Sequence, residues 1–226
     1  MAKPMFDAQA LIAQFETATA QQGEQVRKAV ADATLQALQG RELTLKNIRA
    51  TLKSVTDAAG AGVANNLLPN VDAEALLDKA VAGMDDALLQ AVEANRVALG
   101  KLVAQGADLR EKHLKKALDD MEKFEDSLMG AVRKASEGAG AQLGAQWASV
   151  LEKMQMGGTV SGAQATTTAE QLMNQMQTAR RDSRAASLRA AQALAESYTA
   201  MVSGVLIGMS DALQKGAAPK AAPRKK

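Results

Sequence analysis

The sequence predicts an all-α protein, with long amphipathic helices packed as an elongated antiparallel bundle or coiled coil and a disordered basic C-terminal tail. Three observations carry this. Apolar residues recur at alternating spacings of three and four along most of the 226 residues. The apolar set is dominated by alanine, with 11 Met against 3 Phe, 1 Trp and 1 Tyr, so the core lacks bulky aromatics and suits helices packed along a seam. Gly- and Pro-rich breaks fall between the periodic runs.

The first helix is predicted from about Asp7 to Gln39, with Leu11, Phe15, Ala18, Val26, Val30, Ala33 and Ala37 on one stripe and Gly40 as its stop. The second starts near Arg41. Its stripe of Leu45, Ile48, Leu52, Val55 and Ala59 is a heptad seam. A break is expected over Gly60–Gly62 and Asn65–Asn70, where glycine frees the backbone and Pro69 disfavours helix before it. Asp72 then caps a third helix with Leu77, Val81, Met84, Leu88, Ala91, Asn95, Ala98 and Leu102 in line. A polar Asn95 in that seam fixes register at some expense of stability. A fourth helix, roughly Asp108–Glu137, carries Leu114, Leu118, Met121, Phe124, Leu128 and Val132 opposite a densely charged face.

These elements divide the chain into a bundle of about four helices over residues 1–137, a Gly/Ala-rich hinge with a short helix (Trp147 to Met154) over 138–162, a long C-terminal helix over 163–214, and the tail 215–226. The long helix places Ala191, Ala195, Tyr198, Val202, Val205, Met209 and Ala212 on a seam, and Gly204 and Gly208 form a GxxxG pattern that permits close helix packing.

Composition narrows the function. There are no cysteines, so disulfides and thiolate metal sites are excluded, which fits a cytoplasmic protein. The first ten residues lack the basic start and apolar run of a signal peptide. The uncharged stretch Ser197–Ser210 falls short of the ~20 residues that span a bilayer, so no transmembrane span is expected. His113, the single histidine, lies in a charged run, and the adjacent carboxylate pairs Asp85-Asp86, Asp119-Asp120 and Glu125-Asp126 project about 100° apart on a helix instead of converging. No phosphate-binding loop or calcium loop is present, and no catalytic residue, cofactor or metal ligand is expected.

Charge is unevenly spread. Residues 70–100 hold two basic and six acidic side chains, whereas 177–226 hold nine basic and three acidic. Arg180, Arg181, Arg184, Arg189, Lys215, Lys220, Arg224, Lys225 and Lys226 form a candidate polyanion-binding set. Spaced by Ala and Pro, the tail cations stay extended and fit weak, non-specific nucleic-acid contact, although no base-reading motif accompanies them.

Three stretches together resemble the phasins, bacterial proteins that coat polyhydroxyalkanoate storage granules: Phe6-Asp-Ala-Gln-Ala-Leu-Ile-Ala-Gln-Phe15, Leu88-Leu-Gln-Ala-Val-Glu-Ala-Asn-Arg-Val-Ala-Leu99, and the Lys/Ala/Pro tail. The resemblance implies a surfactant-like, granule-associated coat. Apolar stripes of the first two helices lie on the polyester, and self-association runs through the seams, with Leu45, Ile48, Leu52, Val55, Leu77, Val81, Met84 and Leu88 as the residues that meet a surface or a partner helix. At ~25 cal/mol per Å2, a few hundred Å2 of apolar area per helix supplies several kcal/mol of adsorption before ordering costs. The alternative is a coiled-coil scaffold or oligomeric interaction module whose seams are already buried in the purified protein. A nucleic-acid-associated protein acting through its tail is a further one.

Overall fold

A computed structural model of the chain describes residues 6–19, 22–39, 42–68, 71–108, 112–182, 198 and 201–210. All regular structure among them is helical. The helices are α1 (Ala8–Glu16), α2 (Gly23–Leu38), α3 (Leu45–Ala64), α4 (Ala73–Ala104), α5 (Lys112–Glu122), α6 (Phe124–Gly138), α7 (Ala141–Gly157) and α8 (Val160–Asp182), with a further helical segment at 201–210.

α4 is the axis of the bundle, a rod of about 48 Å at 1.5 Å per residue. Its start is capped as the sequence predicts, with the Asp72 carboxylate accepting from the Ala75 amide at 2.9 Å. α3 folds back against it, so that the Thr56 hydroxyl reaches Met84 Sδ at 3.5 Å. α2, α7 and α8 pack on its remaining sides, α1 lies on α3, and α6 joins α3 to α7. Leu76, Leu77, Ala80, Met84, Ala87, Leu88, Ala91, Val92, Ala94, Ala98, Leu99 and Leu102 of α4 are all fully buried. A helix enclosed this completely needs more than one apolar stripe, and the apolar residues here cover most of its circumference.

Several elements differ from the sequence expectation. The single first helix is two, α1 and α2, because the chain turns after Glu16 and the Gln22 side chain accepts from the Thr19 amide at 3.0 Å. The turn lets both Phe15 and Val26 enter the core. The fourth helix is also divided. At Lys123 the backbone leaves helical geometry (φ −95°, ψ 9°), which allows Met121 and Phe124 to be buried together. The short piece around Trp147 is the full 17-residue helix α7. Gly60 and Gly62 do not break α3, which runs on to Ala64. Gly62 is instead where α1 crosses: a Cβ there would lie 2.7 Å from the Ile12 carbonyl oxygen.

Of the long helix expected over 163–214, residues 163–182, 198 and 201–210 are described, and the rest lies outside the described residues. α8 starts two residues after Gly158, whose φ of +68° suits glycine, and it runs beside α4 in the same direction. Val160 lies at Asp85, and Leu172 and Thr178 border Val103 and Gly106. Tyr198 donates its hydroxyl to Asn95 of α4. In the 201–210 segment Val202 and Leu206 are buried while Gly204 and Gly208 are exposed, and among the described residues no atom lies within 4 Å of a Cβ built on either glycine. The tail residues 215–226 lie outside the described residues.

Two glycines of α4 give a test in one helix. A Cβ on Gly83 would sit 2.9 Å from Val30 Cβ and against the Arg27 carbonyl, whereas one on Gly100 meets nothing within 4 Å. Gly83→Ala should lower unfolding free energy by about 1–3 kcal/mol by forcing α2 away, and Gly100→Ala should raise it by up to about 1 kcal/mol through helix propensity. Urea denaturation of the two variants checks both signs.

Candidate functional site: helix seams and the carboxylates that clamp them

The seam residues meet in one place. Ile48, Leu52 and Val55 of α3 and Leu77, Val81, Met84 and Leu88 of α4 all belong to the same core, and Leu45, in the first turn of α3, is half-buried beside it. The seams are therefore occupied within one chain. What they face is mostly small or aliphatic: Ala58, Ala59, Ala80, Ala87, Ala91, Val30, Leu35 and Leu38.

Polar side chains tie this apolar bundle together at defined heights along α4. Near its start Lys153 of α7 bonds to Glu74 at 2.7 Å, with Asp78 at 3.7 Å. One turn on, Lys79 pairs with Glu24 of α2. Asp86 receives a two-pronged contact from Arg27, at 2.6 and 2.7 Å. These partnerships leave their mark on acidity. The bond from Lys153 holds Glu74 below the usual carboxylate range, Lys79 does the same to Glu24, Arg96 does the same to Glu93, and the Asp86 contact raises the Arg27 guanidinium.

Asp85 is different because it is buried, 8% exposed, and it serves a helix end. Its two oxygens accept the Val160 and Ser161 amides at 2.8 and 3.1 Å. A second carboxylate, Glu125 of α6, accepts the Thr159 amide and hydroxyl, both at 2.9 Å, and the Thr159 hydroxyl in turn accepts from Gly162 at 3.0 Å. Two negative side chains thus meet the free amides and positive dipole end of α8. Gly162 is required by this arrangement, since a Cβ there would lie 2.5 Å from the Glu125 carboxyl carbon. A third buried link is Asn95, which donates to the Ala91 carbonyl at 2.9 Å and accepts from Tyr198. Burial, with Asp120 nearby, pushes the Tyr198 phenol well above its ordinary value, so it remains a donor.

Sequence reasoning missed the clamps. It found only that Asp85 and Asp86 do not converge, and that divergence of about 100° is what sends the two carboxylates to different helices, α8 and α2. The available signal was the Gly157-Gly158-Thr159 start of α8, a helix beginning that calls for acceptors and has no acidic residue of its own in its first turn. Along the inner side of α8 the clamp gives way to poorer packing: the hydroxyls of Ser161 and Thr168 are buried without a hydrogen-bond partner, and a 910 Å3 groove separates its later turns from α4. Of the candidate polyanion residues, Arg180 and Arg181 fall in the last turn of α8, and Arg184, Arg189, Lys215, Lys220, Arg224, Lys225 and Lys226 lie outside the described residues. His113 is in the first turn of α5, with its side chain likewise outside the description. Among the described residues no group of three acidic or histidine side chains is arranged to hold a metal ion, and no helix is long and apolar enough to cross a membrane.

Two predictions follow from the clamps. Asp85→Ala strands two amides in a buried position and should lower stability by about 1–3 kcal/mol, with hydrogen exchange accelerating first at Val160 and Ser161. Glu74 titrates below its ordinary value of 4.5 in the folded chain, so its contribution is present above that pH and fades as pH falls through the lowered value. Glu74→Gln should therefore reduce the thermal midpoint at pH 7, and its difference from the unaltered chain should vanish in strong acid.

A family model matches residues 1–215 and carries the description "Family of unknown function (DUF6781)". No curated protein and no solved structure matches. With nearly the whole length matched, the chain belongs to the DUF6781 family, a family of unknown function.

Proposed function

We propose that this is a non-catalytic helical association protein that coats an uncharged apolar surface, in the manner of the phasins on polyester granules, and that the bundle is its closed form. The observation that carries the reading is the way the apolar stripes are satisfied. Each is turned onto another helix of the same chain, through small and aliphatic side chains, while the opposite faces carry charge. In α3, for example, Ile48, Leu52 and Val55 are inside and Lys46, Arg49, Lys53 and Asp57 are exposed. A helix with that division can exchange a neighbouring helix for an apolar surface without exposing its seam to water. The interface along α8, with its two unpaired buried hydroxyls and adjoining groove, is where this reading places the opening.

A second reading, a folded helical scaffold that binds through its exterior, is favoured by the completeness of seam burial in a single chain. The two differ in what happens to the core. Substituting serine for Leu45, Ile48, Leu52 and Val55 cannot separate them, since three of the four are fully buried and their loss tests folding. The deciding experiment is co-sedimentation of the purified chain with poly(3-hydroxybutyrate) particles, with hydrogen exchange measured on the bound protein. Sedimentation with exchange accelerated in the α4–α8 interface supports a coat that opens. Sedimentation with the solution exchange pattern supports the rigid scaffold, and a chain that stays in the supernatant sinks the coat reading.

A further inference from the structure

Among the described residues, exposed large apolar side chains are few. Met156, Val160, Met173 and Ile207 each stand apart in sequence from the next, but Leu67 and Leu68, in the turn between α3 and α4, are consecutive, and Leu67 is 93% exposed. Two adjacent leucines in water at the tip of a helical hairpin are unfavourable by the same burial energetics that fill the core.

The turn is also held in place. The Asn66 side-chain amide donates to the carbonyls of Phe15 and Ala18, at 2.7 and 3.0 Å, and its oxygen accepts from the Leu68 amide at 3.0 Å. Asn65 donates to Glu16 at 3.0 Å. On the other side Asp72 caps α4. The leucines are thus mounted on a frame built from the ends of α1, α3 and α4, and burying them outside the chain would disturb no core contact.

Charge around the tip selects what they can enter. No Lys or Arg occurs between residues 4 and 26 or between 54 and 78, the two stretches that build this end. Among the described residues its charged groups include the carboxylates Glu16, Asp72, Glu74 and Asp78, and the nearby cations Lys153 and Lys79 are engaged by Glu74 and Glu24. An anionic bilayer would be repelled by such a rim, since peripheral anchors for it draw on basic side chains. An aliphatic polyester carries no charge and imposes no such penalty.

We propose that Leu67 and Leu68 form the anchor through which the closed bundle first enters an uncharged aliphatic polyester surface, end-on. This rests on the coat reading above and names the part of the molecule that makes first contact. Because the chain has no cysteine, single labels report cleanly. Leu67→Cys and, as a control at the far end of α8, the exposed Gln177→Cys would each carry a polarity-sensitive fluorophore, and the double variant L67S/L68S would be tested unlabelled with poly(3-hydroxybutyrate) particles and with anionic phospholipid vesicles. L67S/L68S should keep the thermal midpoint of the unaltered chain and bind the particles roughly tenfold more weakly. The label at 67 should shift to the blue on the particles and the label at 177 should not. If the unaltered chain sediments but the double variant binds equally well, or the label at 67 stays in water, the anchor is overturned and the coat reading stands. Anionic vesicles that bind as tightly as the particles and bury the label would overturn the choice of surface. If the unaltered chain fails to sediment with the particles, both readings fall.

Discussion

The structure depends on the enclosure of α4. A 32-residue helix buried nearly all round sets most of its polar side chains against another helix, where burial favours a partner, although Oε1 of Gln90 is buried without one. That constraint explains the sequence of ties along its length: Glu74 to Lys153, Lys79 to Glu24, Asp86 to Arg27, Asp85 to the start of α8, Asn95 to Tyr198. The apolar contacts between Ala, Leu, Val and Met are non-directional and would tolerate several registers. The polar ties do not, because each binds one residue to one partner at one height.

Asn95 illustrates how the same feature can be foreseen in kind and missed in detail. A polar residue in a heptad seam signals register control between helices, and Asn95 does hold a partner, yet the partner is a tyrosine 103 residues later in the same chain. Spacing shows which face of a helix is polar and says nothing about what arrives there. The seams themselves were legible: Ile48, Leu52 and Val55, and Leu77, Met84 and Leu88, recur at three and four because helix geometry demands it, and all are in the core. The cap at Asp72 and the break before α8 were legible for the same local reason, side-chain chemistry at a helix end.

What was not legible depends on contacts distant in sequence. Gly60 and Gly62 look like breakers in isolation, because the alternative use of glycine, a close crossing, needs α1 in place. The turn between α1 and α2 and the step at Lys123 lie within periodic apolar runs, and they arise because Phe15 with Val26, and Met121 with Phe124, have to reach one core from segments that a straight helix would carry past it. The contact of Tyr198 with Asn95 of α4 is another such effect. A helical pattern over fifty residues describes local preference, and packing decides whether it becomes one rod.

The composition of the core bears on what the molecule can do next. Its area per residue is small because alanine supplies so much of it, and aromatic anchors are confined to Phe6, Phe15, Phe124, Trp147 and the partly buried Tyr198. These are not evenly placed. Phe15 fixes α1 against α3, Phe124 stands at the step between α5 and α6, and Trp147 seals α7 near Gly60, whereas the face of α8 that meets α4 is made of Ala165, Ala169 and Leu172 with Ser161 and Thr168 among them. α8 is therefore held by two carboxylates at its start and by small and aliphatic side chains along its length. Hydrogen bonds of that kind are short-range and are lost together once the helix end moves, while a broad apolar interface weakens gradually. In this bundle the carboxylates of Asp85 and Glu125 fix where α8 begins, and Ala165, Ala169 and Leu172 carry its packing beyond that point.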